Sequence, residues 1–177
     1  MIEEIEIRKA KVEDASALLA IYAPYVNNTA VTFEYDVPTA LEFADRIAAI
    51  SEKFPYLVAV SGGEMLGYAY AAEFKDRAAY QWSVETSVYV REDCRRGHVG
   101  AKLYEELKKR LQDQGILNMN ACIAYPCQAC DPYLTCDSVA FHRSMGFDIV
   151  AHFHKCGKKF GRWYDMVWME LHIGEHL

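Results

Sequence analysis

Residues 83–111 read SVETSVYVREDCRRGHVGAKLYEELKKRL. Val84, Thr86, Val88 and Val90 alternate with Ser83, Glu85, Ser87 and Tyr89, which is the two-residue period of a strand. Leu103, Leu107 and Leu111 recur every fourth residue and mark one face of a helix. Between them stands Arg95-Arg96-Gly97-His98-Val99-Gly100. A turn of this kind exposes backbone N–H groups at a helix N-terminus, where the dipole favours anions. Two arginines and two glycines at that place predict a seat for a phosphate group.

The flanking chain fills in around this unit. Ile5 to Arg8 reads as a first strand, and residues 12–26 as a helix whose end Pro24 should distort. A loop from Asn27 to Val37 follows, then a helix opened by Thr39 and Glu42 at capping-box spacing. Tyr56 to Val60 and Met65 to Ala72 form a hairpin about Ser61-Gly62-Gly63-Glu64. Gly115 stops the central helix, and Leu117, Met119, Ala121 and Ile123 alternate as another strand. A long loop, Tyr125 to Cys136, leads to a short helix capped by Asp137 and Ser138. Ile149 to Lys155 and Trp163 to Leu171 are the last strands, joined by a turn holding Gly157 and Gly161. The order β, α, α, β, β, β, α, β, α, β, β predicts an α/β chain with a mixed sheet and helices packed on its faces.

The 177 residues suit a single domain over 1–177 with a substantial core. A hydrophobic content of 52% with 25% charged residues is that of a globular chain. A net charge of −6 argues against nucleic acid as a partner, because such binding rests on phosphate neutralisation. Residues 91–110 nevertheless carry seven Lys/Arg against four Asp/Glu, a local basic spot suited to a small anion. The opening MIEEIEIRKA lacks the basic start and apolar run of a signal peptide. No stretch approaches the roughly 20 apolar residues of a membrane span, so no membrane partner is expected. Six cysteines are read as reduced thiols in a cytoplasm.

This order of elements, with the turn at 95–100, resembles the GNAT superfamily of N-acetyltransferases over nearly the whole chain. Members show R/Q-x-x-G-x-G/A at the turn; here Arg95 and Gly100 fit, and His98 replaces the first motif glycine. Histidine tolerates unusual backbone angles better than most side chains. A closer resemblance is to the phosphinothricin and methionine-sulfoximine acetyltransferases. It is carried by IRKAKVEDASALLAIYAPYV, TFEY, YAYAAEFKDRAAYQWSVETSVYV, SVAFHRSMGF and KCGKKFGRWYDMVWMEL, in that order. The fold so implied is a central, mostly antiparallel sheet of about seven strands flanked by about four helices.

The resemblance implies acetyl-CoA as cosubstrate, no metal, and direct attack by the primary amine of a small amino-acid-like acceptor in a ternary complex. Arg95, Arg96, Gly97, His98, Val99, Gly100 and Ala101 would hold the pyrophosphate. Backbone groups of Val88, Tyr89 and Val90 would receive the pantetheine arm as an added strand, and an N–H near Val88 would polarise the thioester carbonyl. Glu85 is the candidate base for the acceptor ammonium, directly or through a water. The alternative for Glu85 is an exposed carboxylate paired with Lys75 or Arg77.

His142 stands where the superfamily often has a tyrosine that donates to the departing thiolate; the alternative is a helix histidine satisfied by backbone. Thr135, Asp137 and Ser138 fall where an asparagine commonly touches pantetheine. For the acceptor, Lys75 and Arg77 are candidates to pair with a carboxylate or phosphinate, and Phe33, Tyr35 and Tyr80 to line its pocket. The subfamily resemblance also implies a homodimer, with Trp163, Tyr164 and Trp168 offering apolar surface.

Other readings compete. Another small amine or antibiotic could be the acceptor, or the chain could be a CoA-binding module without catalysis. Cys127-Gln128-Ala129-Cys130, with Cys136 or with His152 and His154, imitates a zinc or redox site. A second C-x-x-C is missing, and no strand–C-x-x-C–helix context supports redox work. The turn also lacks the Gly-Lys-Ser/Thr ending of an ATP-binding loop.

Overall fold

The computed structural model describes residues 4–95 and 97–177. Strand β1 (Glu6–Lys9) is followed by a 3-10 turn at Val12–Asp14 and helix α1 (Ala15–Asn28). Helix α2 (Ala40–Ser51), the hairpin β2 (Tyr56–Ser61) and β3 (Glu64–Glu73), and β4 (Ser83–Val90) come next. Then follow α3 (Val99–Asp113), β5 (Asn118–Pro126), α4 (Asp137–Ser144), β6 (Asp148–Lys159) and β7 (Arg162–His172). The expected order of elements stands. Seven strands form one sheet in the order β1-β2-β3-β4-β5-β7-β6, antiparallel except for the β4–β5 pair.

Local chemistry sets several boundaries. Thr39 accepts from the Glu42 N–H while the Glu42 carboxylate takes the Thr39 N–H, so α2 starts with a reciprocal capping box. Gly115 leaves α3 with φ +78°, a left-handed angle that suits glycine. Other boundaries differ from the sequence reading. Pro24 lies inside α1, which runs on to Asn28. The first residue of α4 is Asp137; neither it nor Ser138 caps the helix, and the Thr135 hydroxyl accepts the Asp137 N–H instead. Strand β6 runs past a bulge to Lys159, so Gly157 belongs to the strand and Gly161 alone of the two sits in the turn. A side chain at 157 would collide with Phe33, whose ring would lie 2.3 Å from an added Cβ.

The pleat divides the core into two layers. Val84, Met119, Ala121, Val167 and Met169 face α3, where Leu103, Tyr104, Leu107 and Leu111 are fully buried. Tyr56, Val58 and Tyr68 face the other way, onto Leu18, Tyr22, Phe43 and Ile47 of α1 and α2. Ala30, Ala124, Leu134 and Tyr164 form a third cluster, where two loops cover β5 and β7. Tyr164 is thus core rather than surface, whereas Trp163 is exposed.

Candidate active site

Strands β4 and β5 pair over three positions only, Ser83 with Asn118, Val84 with Met119 and Glu85 with Asn120. Beyond Glu85 they part. The space between them is lined by Thr86, Ser87, Val88 and Tyr89 on one side and by Ala121, Cys122, Ile123 and Ala124 on the other. Tyr104, Ser138 and His142 close it from the helices, and Val31 and Leu134 from the loops. Its cavity volume is about 50 Å³, and it is open to solvent. Residues from both faces of the pleat border it, as expected of a gap between parted strands.

Register shows which backbone groups of β4 look into this opening. The Arg91 N–H donates to the Leu66 carbonyl, making that a hydrogen-bonded pair of the antiparallel β3–β4 ladder. Such pairs alternate, so Tyr89, Ser87 and Glu85 spend their backbone groups on β3, and those of Thr86, Val88 and Val90 face β5. The Asn120 side chain donates to the Val84 carbonyl from the β5 side, in keeping with that alternation. The Val90 carbonyl already accepts the Tyr25 hydroxyl at 2.6 Å. Of the three residues expected to meet a pantetheine arm, Val88 offers both backbone groups and Val90 its N–H. Tyr89 contributes its side chain alone.

The turn beyond β4 has the form expected of an anion seat. His98 caps α3 in the left-handed region, at φ 62° and ψ 8°, and no side chain caps the helix. Lys102 N–H donates to the His98 carbonyl, so the N–H groups of Val99, Gly100 and Ala101 have no acceptor within the helix. Gly97 N–H is taken by the Cys94 carbonyl. Gly100 is pressed close: an added Cβ would lie 3.2 Å from the Phe141 ring. The Arg95 guanidinium lies over the Tyr25 ring, 5.1 Å from its centroid. Arg96, expected to add charge here, lies outside the described residues.

Glu85 stands where the strands part, half-buried and on the same face as Tyr70, Ser87 and Tyr89. Burial raises its pKa above the ordinary carboxylate value, and the charge of Lys75 only partly opposes this. Among the described residues no ion pair reaches Glu85, which sets aside the paired-carboxylate reading. Cys122 lies close enough to feel the same charge; burial first, then Glu85, push its thiol up to about 11.

His142 is buried, with Nδ1 2.7 Å from the Ser138 carbonyl and Nε2 2.9 Å from the Tyr104 hydroxyl. A carbonyl only accepts, so the ring proton sits on Nδ1 and Nε2 accepts from Tyr104. Burial lowers the ring pKa to about 4, which keeps it neutral at physiological pH. The expected direct proton donor therefore holds no proton toward the opening. Tyr104 borders the opening with a hydroxyl whose proton goes to Nε2 and whose oxygen also lies 3.3 Å from the Thr86 hydroxyl. Sequence reading missed Tyr104 because it adjoins Leu103 on the core face of α3. Thr86, Asn120 and Cys122 were missed likewise; their one signal is polarity at alternate positions of strands that are otherwise apolar.

The expected acceptor residues separate into two groups. The Lys75 ammonium rests over the rings of Phe74 and Trp168, at 5.3 and 5.6 Å, and Tyr80 meets Phe74 edge-on. Arg77 and Tyr80 are exposed on the β3–β4 connection. Phe33 packs on Tyr164, and the Tyr35 hydroxyl donates to the Lys158 carbonyl, so both clasp the β6–β7 hairpin and neither lines the opening. A second, tyrosine-rich cavity lies on the α1 and α2 face, walled by Tyr22, Tyr68, Tyr70, Arg46 and the outer side of Tyr89.

Comparison with known proteins gives this geometry a context. Residues 7–168 match the family described as the acetyltransferase (GNAT) domain. The phosphinothricin N-acetyltransferase of Streptomyces viridochromogenes is 33% identical over 162 residues, 92% of this chain and 84% of that protein. The L-methionine sulfoximine/L-methionine sulfone acetyltransferase of Pseudomonas paraeruginosa is 37% identical over 169 residues, 94% of each chain. Among solved structures, a GNAT superfamily phosphinothricin acetyltransferase of Sinorhizobium meliloti in complex with AcCoA superposes with TM-score 0.85. It shares 33% identity, over 96% of this chain and 89% of that one. A ribosomal-protein-alanine N-acetyltransferase of Brucella melitensis gives 0.85 at 32% identity, over 94% and 99%.

Proposed function

This chain belongs to the GNAT acetyltransferase family, and we propose that it moves an acetyl group from acetyl-CoA to the primary amine of a small amino-acid-like acceptor, of the phosphinothricin or methionine sulfoximine/sulfone type. The observation that carries the reading is the opening between β4 and β5 beyond Glu85, bordered by Thr86 to Tyr89 and Ala121 to Ala124. The parted edge of β4 offers the donor a place beside Glu85, where the acceptor amine would meet it.

The residues fit acetyl-CoA. Three N–H groups without acceptors among the described residues, with Arg95 nearby in the turn, suit a diphosphate. A side chain at Gly100 would press on the Phe141 ring and Val90, so glycine lets the first turn of α3 sit close to α4 and β4. Val88 offers an N–H to the thioester carbonyl and a free edge to the amide-bearing arm. The cosubstrate supplies the activated acyl group; the protein's own residues position it and manage protons.

Glu85 takes a proton from the acceptor ammonium, directly or through a water, and its raised pKa makes it a better base than an ordinary carboxylate. The Tyr104 hydroxyl, whose one proton rests on Nε2 of His142, turns that proton to the thiolate as it departs, and His142 acts behind it as a positioning residue. Ser138, which lines the opening, with Thr135 and Asp137 before it, borders the arm. Lys75, whose ammonium makes no ion pair among the described residues, attracts the acceptor's acidic end; Arg77, Tyr80, Phe33 and Tyr35 form the outer approach.

Among the described residues no helix is long and apolar enough to cross a membrane. Six cysteines without a disulfide suit the reducing cytoplasm. Residues 1–177 act as one domain. The exposed apolar side chains of Val150, Phe153 and Trp163 on the edge hairpin suit a homodimer contact. A thiol-release assay with acetyl-CoA and a panel of amines tests the reading. Turnover with phosphinothricin or methionine sulfone, and little with polyamines or a peptide N-terminus, is expected; the reverse order overturns it.

A further inference from the structure

His152 and His154 lie two residues apart on β6, and the strand period puts their side chains on one face. Their rings stack at 4.3 Å and 14°. Across the ladder, β6 bulges between Phe153 and Gly157, opposite the buried Asp165 of β7. Asp165 accepts three donors: His152 Nε2 at 2.7 Å, the Lys155 backbone N–H at 2.7 Å and the Cys127 thiol at 3.0 Å. The ligand atoms available on His152, His154 and Asp165 all lie within 4.8 Å of one another. The sequence reading set the histidines aside for want of a second C-x-x-C. The fold supplies instead an aspartate from the neighbouring strand and a cysteine from the loop after β5.

We propose that His152, His154 and Asp165, with Cys127 as fourth ligand, form a site for a divalent transition-metal ion of the zinc class, separate from the acetyl-transfer site. Two imidazole nitrogens, one carboxylate oxygen and one thiolate make a tetrahedral set for zinc or cobalt, and a poor one for magnesium or calcium, which favour oxygen alone. Ligands at about 2.0–2.3 Å from such an ion stand roughly 3–4 Å apart. The spacing among His152, His154 and Asp165 is close to that, and the Cys127 sulfur, 3.0 Å from the carboxylate, would turn toward the ion to complete the set. On binding, the ion replaces the two side-chain protons now directed at Asp165. The thiol proton of Cys127 leaves to water, and the proton on Nε2 of the neutral His152 ring moves by way of water to Nδ1, leaving Nε2 free for the ion. The Lys155 N–H stays on the carboxylate and holds it in place. Cys127 directly follows Pro126, the last residue of β5, and begins the loop that carries Leu134 to the wall of the opening. The ion would therefore fasten the root of that loop to the edge hairpin.

Cobalt(II) is the probe, added to the reduced, chelator-treated protein. One equivalent should bind, with the strong visible bands of a tetrahedral ion and a near-ultraviolet thiolate band. His154 makes no hydrogen bond or ion pair among the described residues, so His154→Ala should fold normally and lose at least tenfold in affinity. Cys127→Ser should keep the visible bands and lose the near-ultraviolet one. Wild-type acetyl transfer should persist after chelation, which separates this site from the reaction. Absence of stoichiometric cobalt binding, an octahedral spectrum, or undiminished binding by His154→Ala overturns the proposal.

Discussion

The Tyr104 hydroxyl lies 2.9 Å from Nε2 of His142, and this contact fixes the ring as a neutral acceptor at the rim of the opening. The unfolded ring takes its proton near 6.5, whereas the folded one resists until about 4. Between those values the unfolded state binds more protons, so stability falls as pH drops through that window and is full above it. The loss approaches about 3 kcal/mol by the lower end. Urea unfolding of wild type and His142→Gln from pH 7.5 to pH 4.5 should show the wild-type slope flattened in the variant. Parallel curves would remove His142 as the cause.

Glu85→Gln removes the carboxylate at the last paired position of β4 and β5. Turnover at neutral pH should fall by about 10²-fold or more. Calorimetric binding of acetyl-CoA should stay within a factor of two or so of wild type, because the diphosphate seat lies at the far end of β4. Unchanged turnover would show that another group, or bulk water, accepts the proton.

Lys75 is the cation that restrains the upward pull of burial on Glu85. Lys75→Met should let that pKa rise further, moving the acidic limb of the rate profile to higher pH. It should also raise the KM for a carboxylate-bearing acceptor by roughly tenfold, about 1.4 kcal/mol, while the KM for acetyl-CoA is unaltered. A profile that does not shift, or a KM change confined to acetyl-CoA, would place Lys75 elsewhere.

Gly100→Ala puts a methyl group 3.2 Å from the Phe141 ring and beside the N–H groups assigned to the diphosphate. A stability cost of about 1 kcal/mol and a weaker hold on acetyl-CoA are expected. Phe141→Leu in the same chain should restore most of the stability, measured as a double-mutant coupling. Additive costs would mean that the strain falls on the backbone.

The repeating elements were legible because periodicity reports which residues face a core. Alternation in β4 and the leucine stripe of α3 both appear as read. His98 was read as a tolerable substitute at a glycine position, and it adopts the left-handed angle that the turn demands. The opening itself was not legible. It is made by pairing that stops after Asn120, and nothing in residues 121–124 announces where a ladder ends. Tyr104 was hidden for a related reason: a hydroxyl on a helix core face reads as packing until its partner, His142, is known from tertiary structure. Gly157 was read as a turn residue although its true constraint is Phe33, more than a hundred positions earlier.

The three-rung seam between β4 and β5 also governs how the molecule can breathe. Four strands lie on one side of it and three on the other, and among the described residues the backbone ladder is thinnest there. The halves can swing apart by small amounts without severing any other rung, because the leucines of α3 bear the load beneath. The amide protons of Val84 and Asn118, which face across the seam, should thus exchange ahead of those in the hairpins, and an incoming coenzyme arm would act as a missing rung that slows them.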